Sequence, residues 1–343
     1  TLLDDQAKVL RPCILWNDTR SAAQCVQLTE QHPELEAVTG NLAMPGFTAP
    51  KLLWVKKNEP DVFAQTAKVL LPKDYLRWVL TGQYVSEMSD AAGTLWLDVS
   101  RRDWSDAALA ATGLTRARMP GLVEGSDVSA VVSKEAARLL GLPEGIAVAG
   151  GAGDNAASAI GLGAVQAGDG FISLGTSGVV FLVTEKFAPN PANAVHAFCH
   201  ALPNTWHQMS VMLSAASCLR WVTQLTGYAD EAAMLSKVAQ LTPLERRDCP
   251  LFLPYLSGER TPHNDADATG VFFGLRPTHA AAHLAYAVVE GVSFGLADGL
   301  NALRAAGGRP AIMGTGALRY LAGWPDDDTF FAIVTDLCAE AGL

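Results

Sequence analysis

Short apolar runs alternate with amphipathic segments along the whole chain. Runs such as residues 146–149 and 171–174 have the length and composition of buried strands. Longer segments, for example residues 283–303, place apolar residues at the spacing of one helix face. Because strands and helices are expected in turn from end to end, the pattern predicts an α/β protein.

Length and charge narrow the possibilities further. The chain has 343 residues, of which 49% are hydrophobic and 17% charged, a composition that excludes disordered and fibrous classes and predicts about two domains. Its net charge of -10 argues against nucleic acid as a partner. No run is typical of a membrane span. Six scattered cysteines without a CxxC pair indicate neither a zinc site nor a disulfide scaffold, and they favour the reducing cytoplasm.

Domain organisation follows from the small, flexible residues at 165–170. We expect the boundary at Gly168, which separates a first domain of residues 1–167 from a second domain of residues 168–343. The chain starts at Thr1 and has no signal-peptide pattern. We therefore expect that processing or truncation has removed the true beginning, or that the sequence is part of a longer chain.

Individual elements are predicted from apolar spacing and from capping residues. The expected strands are residues 10–16, 146–149, 171–174, 179–183 and 312–313. The expected helices are residues 50–58, 73–80, 214–225 and 283–303, one that starts at Asp154, and one that Asn17 or Asp18 caps and that runs to Glu30.

The glycine turn, which we define as residues 150–153 (Gly-Gly-Ala-Gly), joins an expected strand to the helix that starts at Asp154. The pattern is superficially the GxGxxA fingerprint of dinucleotide-binding proteins. Two features oppose that interpretation, because Asp154 would face the pyrophosphate and no acidic residue follows about 20 positions later. Asp154 can instead cap the helix with its side chain, or it can serve as a general base beside the turn.

A second segment, Gly175-Thr176-Ser177-Gly178, forms the tip of an expected hairpin. Its glycines allow close approach of the backbone amides, and its hydroxyl groups add donors. The tip can therefore bind phosphate oxygens without positive charge, or it can be an ordinary turn.

Other polar groups favour structural roles. His196, Cys199 and His200 lie in an apolar stretch without a neighbouring carboxylate, which favours a structural role over a metal site. Asp18 and Arg20 are two residues apart and favour a local ion pair or a cap. The acidic run at residues 326–328 is typical of a solvated loop.

Two longer segments resemble the signatures of the FGGY family of carbohydrate kinases. They are residues 46–58 (GFTAPKLLWVKKN) and residues 270–290 (GVFFGLRPTHAAAHLAYAVVE). The segments AGGAGDNAA, SLGTSGV and FLPYLSGERTPHND are similar to family members that phosphorylate a pentulose rather than to those that act on glycerol or gluconate. The resemblance extends from about Leu2 to Ala306.

The resemblance implies two ribonuclease-H-like domains of the actin and hexokinase superfamily with an interdomain cleft, the first domain lacking its N-terminal strands. It also implies ATP-dependent phosphorylation of a pentulose, with D-xylulose as the expected sugar, ATP and Mg²⁺ as cofactors, and a homodimer as an assembly that family analogy allows. By position it makes Asp154 the catalytic base. The implied sugar contacts are Asn155 and Trp16, and the implied nucleotide contacts are Gly175, Thr176, Ser177, Ser214, Ala215 and Gly316; no metal ligand is assigned.

The sequence departs from the family pattern at three places. It contains neither the DxGT-type phosphate turn nor the Gln-Met-His sugar segment that relatives carry near their start. The adenosine turn at residues 313–319 has Thr315 and Arg319 where Gly and Ser are expected. A catalytically silent sugar-binding or regulatory relative is therefore an alternative, as are a kinase for ribulose or glycerol and a nicotinamide-dependent oxidoreductase.

Overall fold

The computed structural model describes residues 1–314. Its helices α1 to α13 are, in chain order, Ala22–Gln31, Leu35–Thr39, Thr48–Asn58, Pro60–Gln65, Pro72–Thr81, Met88–Ala92, Asp106–Ala111, Lys134–Leu140, Asp154–Leu162, Ala216–Thr226, Glu231–Val238, Pro243–Asp248 and Ala281–Ala305. Its strands β1 to β15 are Leu2–Leu3, Lys68–Val69, Val85–Glu87, Leu97–Asp98, Asp103–Trp104, Gly121–Val123, Val128–Val131, Ala147–Ala149, Asp169–Leu174, Gly178–Thr184, His196–Cys199, Trp206–Met212, Leu251–Leu253, Val271–Phe273 and Ile312–Gly314.

These residues form two compact units. Unit 1 contains Thr1–Val165, Val183–Pro191 and His196–His207. Unit 2 contains Gln166–Leu182, Ala192–Val195 and, among the described residues, positions 208–314. Each unit has its own hydrophobic core.

Unit 1 is built from short strand pairs and the helices that cover them. Strand β3 pairs with β6 in parallel, whereas β1–β2, β4–β5 and β7–β8 pair antiparallel. The core contains the fully buried Trp96, whose indole Nε1–H donates to Thr112 Oγ1 at 2.9 Å. The indole of Trp104 is likewise buried and donates to the carbonyl oxygen of Pro120 at 2.9 Å. Both large side chains thus pack in the core without leaving a polar atom unpaired.

Helix α5 shows why the predicted helix over residues 73–80 is confirmed. It begins at Pro72, whose missing N–H would have no helical partner in the first turn. It ends at Thr81, and the next residue, Gly82, adopts φ 73° and caps the helix by donating its backbone N–H to the carbonyl oxygen of Trp78. The flanking residues therefore fix both ends of the helix that carries Lys73, Asp74 and Arg77.

The strand predicted over residues 10–16 is wrong. Pro12 has no N–H to donate to a ladder, and Leu15 and Trp16 are 63% and 78% exposed, so the segment has no buried face. The next helix begins at Ala22 rather than after Asn17 or Asp18. Asp18 instead forms an ion pair of 2.7 Å with Arg20, which confirms the ion-pair interpretation.

The largest sheet has the strand order β11–β12–β10–β9–β15. Strands β9 and β10 pair antiparallel with Gly178 opposite Leu174, so the predicted hairpin is confirmed. Helices α10 and α13 supply much of the core of unit 2, including Leu219, Val222 and Val289. No helix within residues 1–314 is both long and apolar enough to cross a membrane.

Candidate functional site

The glycine turn delivers Asp154 to the first position of α9. The residue before the helix is Gly153, which has extended dihedral angles and caps without a side chain. The interpretation of Asp154 as a side-chain cap is therefore wrong, because its own backbone is already helical. Its Oδ1 accepts hydrogen bonds from Asn155 N at 2.8 Å and Asn155 Nδ2 at 3.2 Å. Within residues 1–314, Oδ2 accepts no hydrogen bond.

Location and exposure leave the Asp154 carboxyl group accessible from solvent. The side chain is exposed to solvent, and the residue lies in the first turn of a helix, where the unpaired N–H groups stabilise negative charge. Oδ1 accepts two hydrogen bonds from Asn155, whereas Oδ2 accepts none from residues 1–314. This carboxylate can accept a proton from a hydroxyl group that approaches Oδ2.

Side chains from α5 and α6 hold the glycine turn at both ends. Arg77 Nη2 donates to the carbonyl oxygen of Gly150. The N–H of Gly153 donates to Ser89 Oγ at 2.9 Å. The N–H of Gly150 also donates to the carbonyl oxygen of Asp127 at 2.8 Å. The direction in which α9 leaves the turn is thus fixed by tertiary contacts and not by the glycine sequence alone.

Arg77 belongs to a charged cluster, which we define as Lys73, Asp74, Arg77, Glu87 and Asp90, and Ser89 Oγ donates to Glu87 of this cluster. Lys73 Nζ lies 2.9 Å from Glu87 Oε1, 3.5 Å from Asp90 Oδ2 and 4.0 Å from Asp74 Oδ1. Arg77 Nη1 lies 3.4 Å from Asp74 Oδ1. Asp74, Arg77 and Glu87 are buried. Buried charges persist only when they are paired and hydrogen-bonded, and each of these has such partners.

The carboxylates of the charged cluster influence one another. Burial raises the pKa of Asp74 to about 6, and the nearby Lys73 ammonium opposes this rise. Burial also raises the pKa of Asp90; Lys73 again opposes the rise, whereas the carboxylates of Glu87 and Asp154 increase it. The electrostatic environment of Asp154 therefore includes the charged cluster.

The sequence analysis predicted the helix over residues 73–80 but assigned no role to Lys73, Arg77, Glu87, Ser89 or Asp90. One signal was available. Residues 73, 74 and 77 place three charges on one side of a short helix that is bounded by apolar residues. Such a pattern predicts ion pairs along one face of the helix, but neither their burial nor the turn that they support follows from it.

Trp16 lies in an exposed segment of unit 1. The Trp16 indole is 78% exposed. The nearby Arg20 guanidinium stacks over the Trp54 ring at 4.9 Å. Across residues 1–314, no hydrogen bond or ring contact joins Trp16 to Asp154. The structure therefore joins Asp154 and Asn155 by hydrogen bonds, and it presents Trp16 at the surface of the unit without a direct contact to Asp154.

In unit 2, the hairpin loop, which we define as residues 175–177, is held by the segment before and at the start of α10. Ala215 N donates to the carbonyl oxygen of Thr176 and Ala216 N to that of Gly175, both at 3.0 Å. Ser217 Oγ donates to the Thr176 carbonyl oxygen at 2.9 Å. The structure thus brings the predicted residues of the hairpin loop next to predicted residue Ala215 and its neighbour Ser214.

The hairpin loop also presents donors. The backbone N–H groups of Thr176 and Ser177 donate to no residue in the described part of the chain, and Thr176 is exposed. Ser214 Oγ is buried and has no hydrogen-bond partner within residues 1–314. Successive backbone N–H groups and hydroxyl groups of this kind can bind an anion such as a phosphate group. Gly316 lies outside the described residues.

The structural role predicted for His196, Cys199 and His200 is confirmed by their hydrogen bonds. His196 Nδ1 lies 3.0 Å from Asn41 Oδ1, Cys199 Sγ donates to the carbonyl oxygen of Val99 at 3.6 Å, and His200 Nδ1 accepts from Leu202 N at 3.2 Å. Among residues 1–314, no group of three or more His, Cys, Asp or Glu side chains could hold a metal ion.

Comparison with known proteins gives matches in both halves of the chain. The N-terminal domain model of the FGGY family of carbohydrate kinases matches residues 1–161, and the C-terminal domain model matches residues 170–317. The xylulose kinase of Escherichia coli (strain K12) is 54% identical over 320 residues, which are 92% of this chain and 66% of that protein. The xylulose kinase of Klebsiella pneumoniae is 54% identical over 323 residues, 93% of this chain and 66% of that protein. The chain thus spans about two thirds of the length of these relatives.

Solved structures give the same result for the fold. The crystal structure of a xyloylose kinase from Brucella ovis is 52% identical with a TM-score of 0.87, and the match covers 91% of this chain and 64% of that one. The xylulose kinase from Rhodospirillum rubrum is 28% identical with a TM-score of 0.88, over 98% of this chain and 67% of that one. These similarities confirm the two-domain fold of mixed helices and strands that the sequence predicts.

Proposed function

Because the chain belongs to the FGGY family of carbohydrate kinases, we propose that the protein transfers the γ-phosphoryl group of ATP to D-xylulose and forms D-xylulose 5-phosphate. The observation that carries this proposal is the position, exposure and hydrogen bonding of the Asp154 side chain. It opens α9, is exposed, and has one carboxylate oxygen that accepts no hydrogen bond within residues 1–314.

Asp154 acts as the general base in this proposal. Its Oδ2 accepts the proton of the sugar hydroxyl group while the oxygen of that hydroxyl group attacks the γ-phosphorus and ADP leaves. Asn155 donates its Nδ2–H to Asp154, which leaves the amide oxygen of Asn155 to accept a hydrogen bond from the sugar. Trp16 offers an exposed indole face to the apolar side of the sugar ring or chain.

The hairpin loop binds the phosphates of ATP. The N–H groups of Thr176 and Ser177 have no protein acceptor within the described residues, and the buried hydroxyl of Ser214 has no partner there either. Such donors can stabilise the negative charge that spreads over phosphate oxygens in the loose transition state. Ala215 lies beside them, and Gly316 is assigned to the adenosine. Mg²⁺ enters as part of the MgATP substrate.

Several broader assignments accompany this proposal. The kinase domains are residues 1–167 and 168–343. The protein acts in the cytoplasm, where ATP is available; support comes from the free thiols of all five cysteines that the structure describes. Its partners are the sugar, ATP and, by family analogy, a second copy of the chain.

The direct experiment is an ADP-release assay on the full-length protein with a panel of D-xylulose, D-ribulose and glycerol. We expect ADP release that depends on sugar, with the highest kcat/KM for D-xylulose. A higher kcat/KM for D-ribulose or glycerol than for D-xylulose would change the assigned substrate, whereas the assigned reaction, ATP-dependent phosphorylation, would stand. Calorimetric binding of D-xylulose without sugar-dependent ADP release would identify a silent sugar-binding relative instead.

A further inference from the structure

Ser89 lies between a buried carboxylate and the residue that precedes Asp154. Its Oγ–H donates to Glu87 Oε2 at 2.8 Å, and the N–H of Gly153 donates to the same Oγ at 2.9 Å. Ser89 is 6% exposed and Glu87 is fully buried. One hydroxyl group therefore connects the interior of unit 1 to the peptide bond that leads into α9.

The direction of these two bonds is fixed by chemistry. Glu87 Oε2 is already the acceptor of Ser89 N, a backbone N–H can only donate, and a serine hydroxyl has a single proton. Ser89 must donate that proton to Glu87, so its lone pairs are left to accept from Gly153. Glu87 is itself held in place, because it also accepts from Ser89 N at 2.7 Å, Asp90 N at 2.9 Å and Lys73 Nζ at 2.9 Å.

The other end of the glycine turn has a separate anchor. Arg77 donates to the carbonyl oxygen of Gly150 and, through Nη1, to that of Val85 at 2.7 Å. Gly151 within the turn adopts φ 76°, and three glycines in four residues give the free turn many accessible conformations. The contacts of Arg77 and Ser89 therefore restrict the backbone of the glycine turn, which its glycine-rich sequence alone would leave flexible.

We propose that Ser89 is a positioning residue, which transmits the fixed orientation of the Glu87 carboxylate to the Gly153 peptide and thereby places the Asp154 carboxylate. This inference rests on the proposed function, because it takes Asp154 as the base. Catalysis is sensitive to such placement, since a displacement of about 1 Å can reduce a rate about 100-fold. Neither substrate needs to contact Ser89.

The test compares Ser89→Ala, Ser89→Thr and the control Ser133→Ala in the full-length protein. Ser133 is also a serine of unit 1 whose hydroxyl accepts a backbone N–H at a helix start, from Ala136 at 3.2 Å. For Ser89→Ala we expect a kcat reduced about 10-fold to 100-fold, with the KM for ATP within about twofold of the original. Ser89→Thr restores a hydroxyl group and should recover most of kcat, and Ser133→Ala should leave kcat unchanged.

A second readout separates the inference from the proposed function. Hydrogen exchange of a peptide that contains residues 150–156 should become faster in Ser89→Ala and return towards normal in Ser89→Thr. A kcat within twofold of the original in Ser89→Ala, an equal loss in Ser133→Ala, or unchanged exchange would each overturn the positioning role. Absence of sugar phosphorylation by the unsubstituted protein would contradict the proposed function, and the exchange data would then still decide whether Ser89 holds the turn.

Discussion

The carboxylate of Glu259 accepts a hydrogen bond of 3.0 Å from the backbone N–H of Leu213. The carbonyl oxygen of the same Leu213 accepts from Ser177 Oγ at 3.2 Å, so the peptide groups around Leu213 connect Glu259 to the hairpin loop. Glu259 also accepts from Arg260 N at 2.7 Å and is only 2% exposed. Its position is therefore fixed by backbone donors, one of which belongs to the residue that also bonds to Ser177.

Replacing Glu259 should weaken nucleotide binding. Glu259→Ala removes the acceptor of a backbone N–H in a region where water cannot readily replace it, which costs about 1–3 kcal/mol of stability, and it should raise the Kd for MgATP several-fold. Glu259→Gln keeps an oxygen acceptor and should have the smaller effect. Calorimetric titration of MgATP measures both. The control is Glu245→Ala, since Glu245 also accepts a backbone N–H in unit 2, from Thr242 at 2.8 Å, but is exposed; an equal effect there would refute the role of Glu259.

A side chain at Gly150 should damage the glycine turn. A Cβ there would overlap the carbonyl oxygen of Glu124 and lie 3.1 Å from Gly125 Cα. Both neighbours are backbone atoms that cannot rotate away. We expect Gly150→Ala to lower the free energy of unfolding by about 1–3 kcal/mol and to lower kcat more than 10-fold, because a displaced turn moves Asp154. Urea unfolding and steady-state kinetics measure the two effects.

Gly161→Ala is the matched control for that substitution. Gly161 lies in the same helix that Asp154 begins, and apart from the adjacent backbone of that helix its Cβ would meet no atom of residues 1–314 within 4 Å. Alanine is favoured over glycine inside a helix by about 0.5–1 kcal/mol, so this variant should be slightly more stable and fully active. A Gly150→Ala variant with unchanged kcat would contradict our description of the turn.

Stability should fall in mild acid because of His200. Burial lowers the pKa of His200 to about 4 from 6.5, with a hydrogen bond to the Ala164 backbone opposing and Arg102 adding to the shift. Between these two pH values the unfolded chain binds a proton at this residue and the folded chain does not. The free energy of unfolding therefore decreases as the pH falls, by on the order of 3 kcal/mol from this group.

Comparison with His200→Asn isolates this contribution. The raised pKa of Asp74, about 6, has the opposite effect on stability, because it favours the folded state as the pH falls. Asp74 is present in both proteins, so its contribution cancels when the two free energies of unfolding are subtracted. Urea unfolding from pH 7 to pH 4 should show a stability difference between the two proteins that narrows as the pH falls. A constant difference would mean that His200 does not titrate as described.

Structural features that depend on residues close to one another in the sequence could be predicted from the sequence. The hairpin formed by β9 and β10 follows from two apolar runs around a small-residue tip. The start of α9 at Asp154 follows from the glycine turn, and the end of α5 follows from Gly82. Each of these signals lies within a few residues of the element that it determines.

Features that depend on distant partners could not be predicted in this way. The contact of Ser89 with Gly153 joins residues 64 positions apart, and that of Arg77 with Gly150 joins residues 73 apart. Residues 10–16 have the apolar composition of a strand, but within the described chain only Leu10 bonds to a strand, through its N–H to the carbonyl oxygen of Leu2 at 3.0 Å. Both the anchoring of the glycine turn and the absence of a strand at residues 10–16 are decided by contacts between distant residues and not by local propensity.

The most direct test of the central claim is the kcat of Asp154→Asn with D-xylulose and MgATP in the full-length protein. Asparagine keeps the size of the side chain and an oxygen for Asn155, but it cannot accept the sugar proton at neutral pH. We predict a kcat lower by about 100-fold to 10,000-fold, with the Kd values for sugar and nucleotide within about threefold of the original. A variant that binds both substrates and retains near-normal kcat would contradict the assignment of Asp154 as the base.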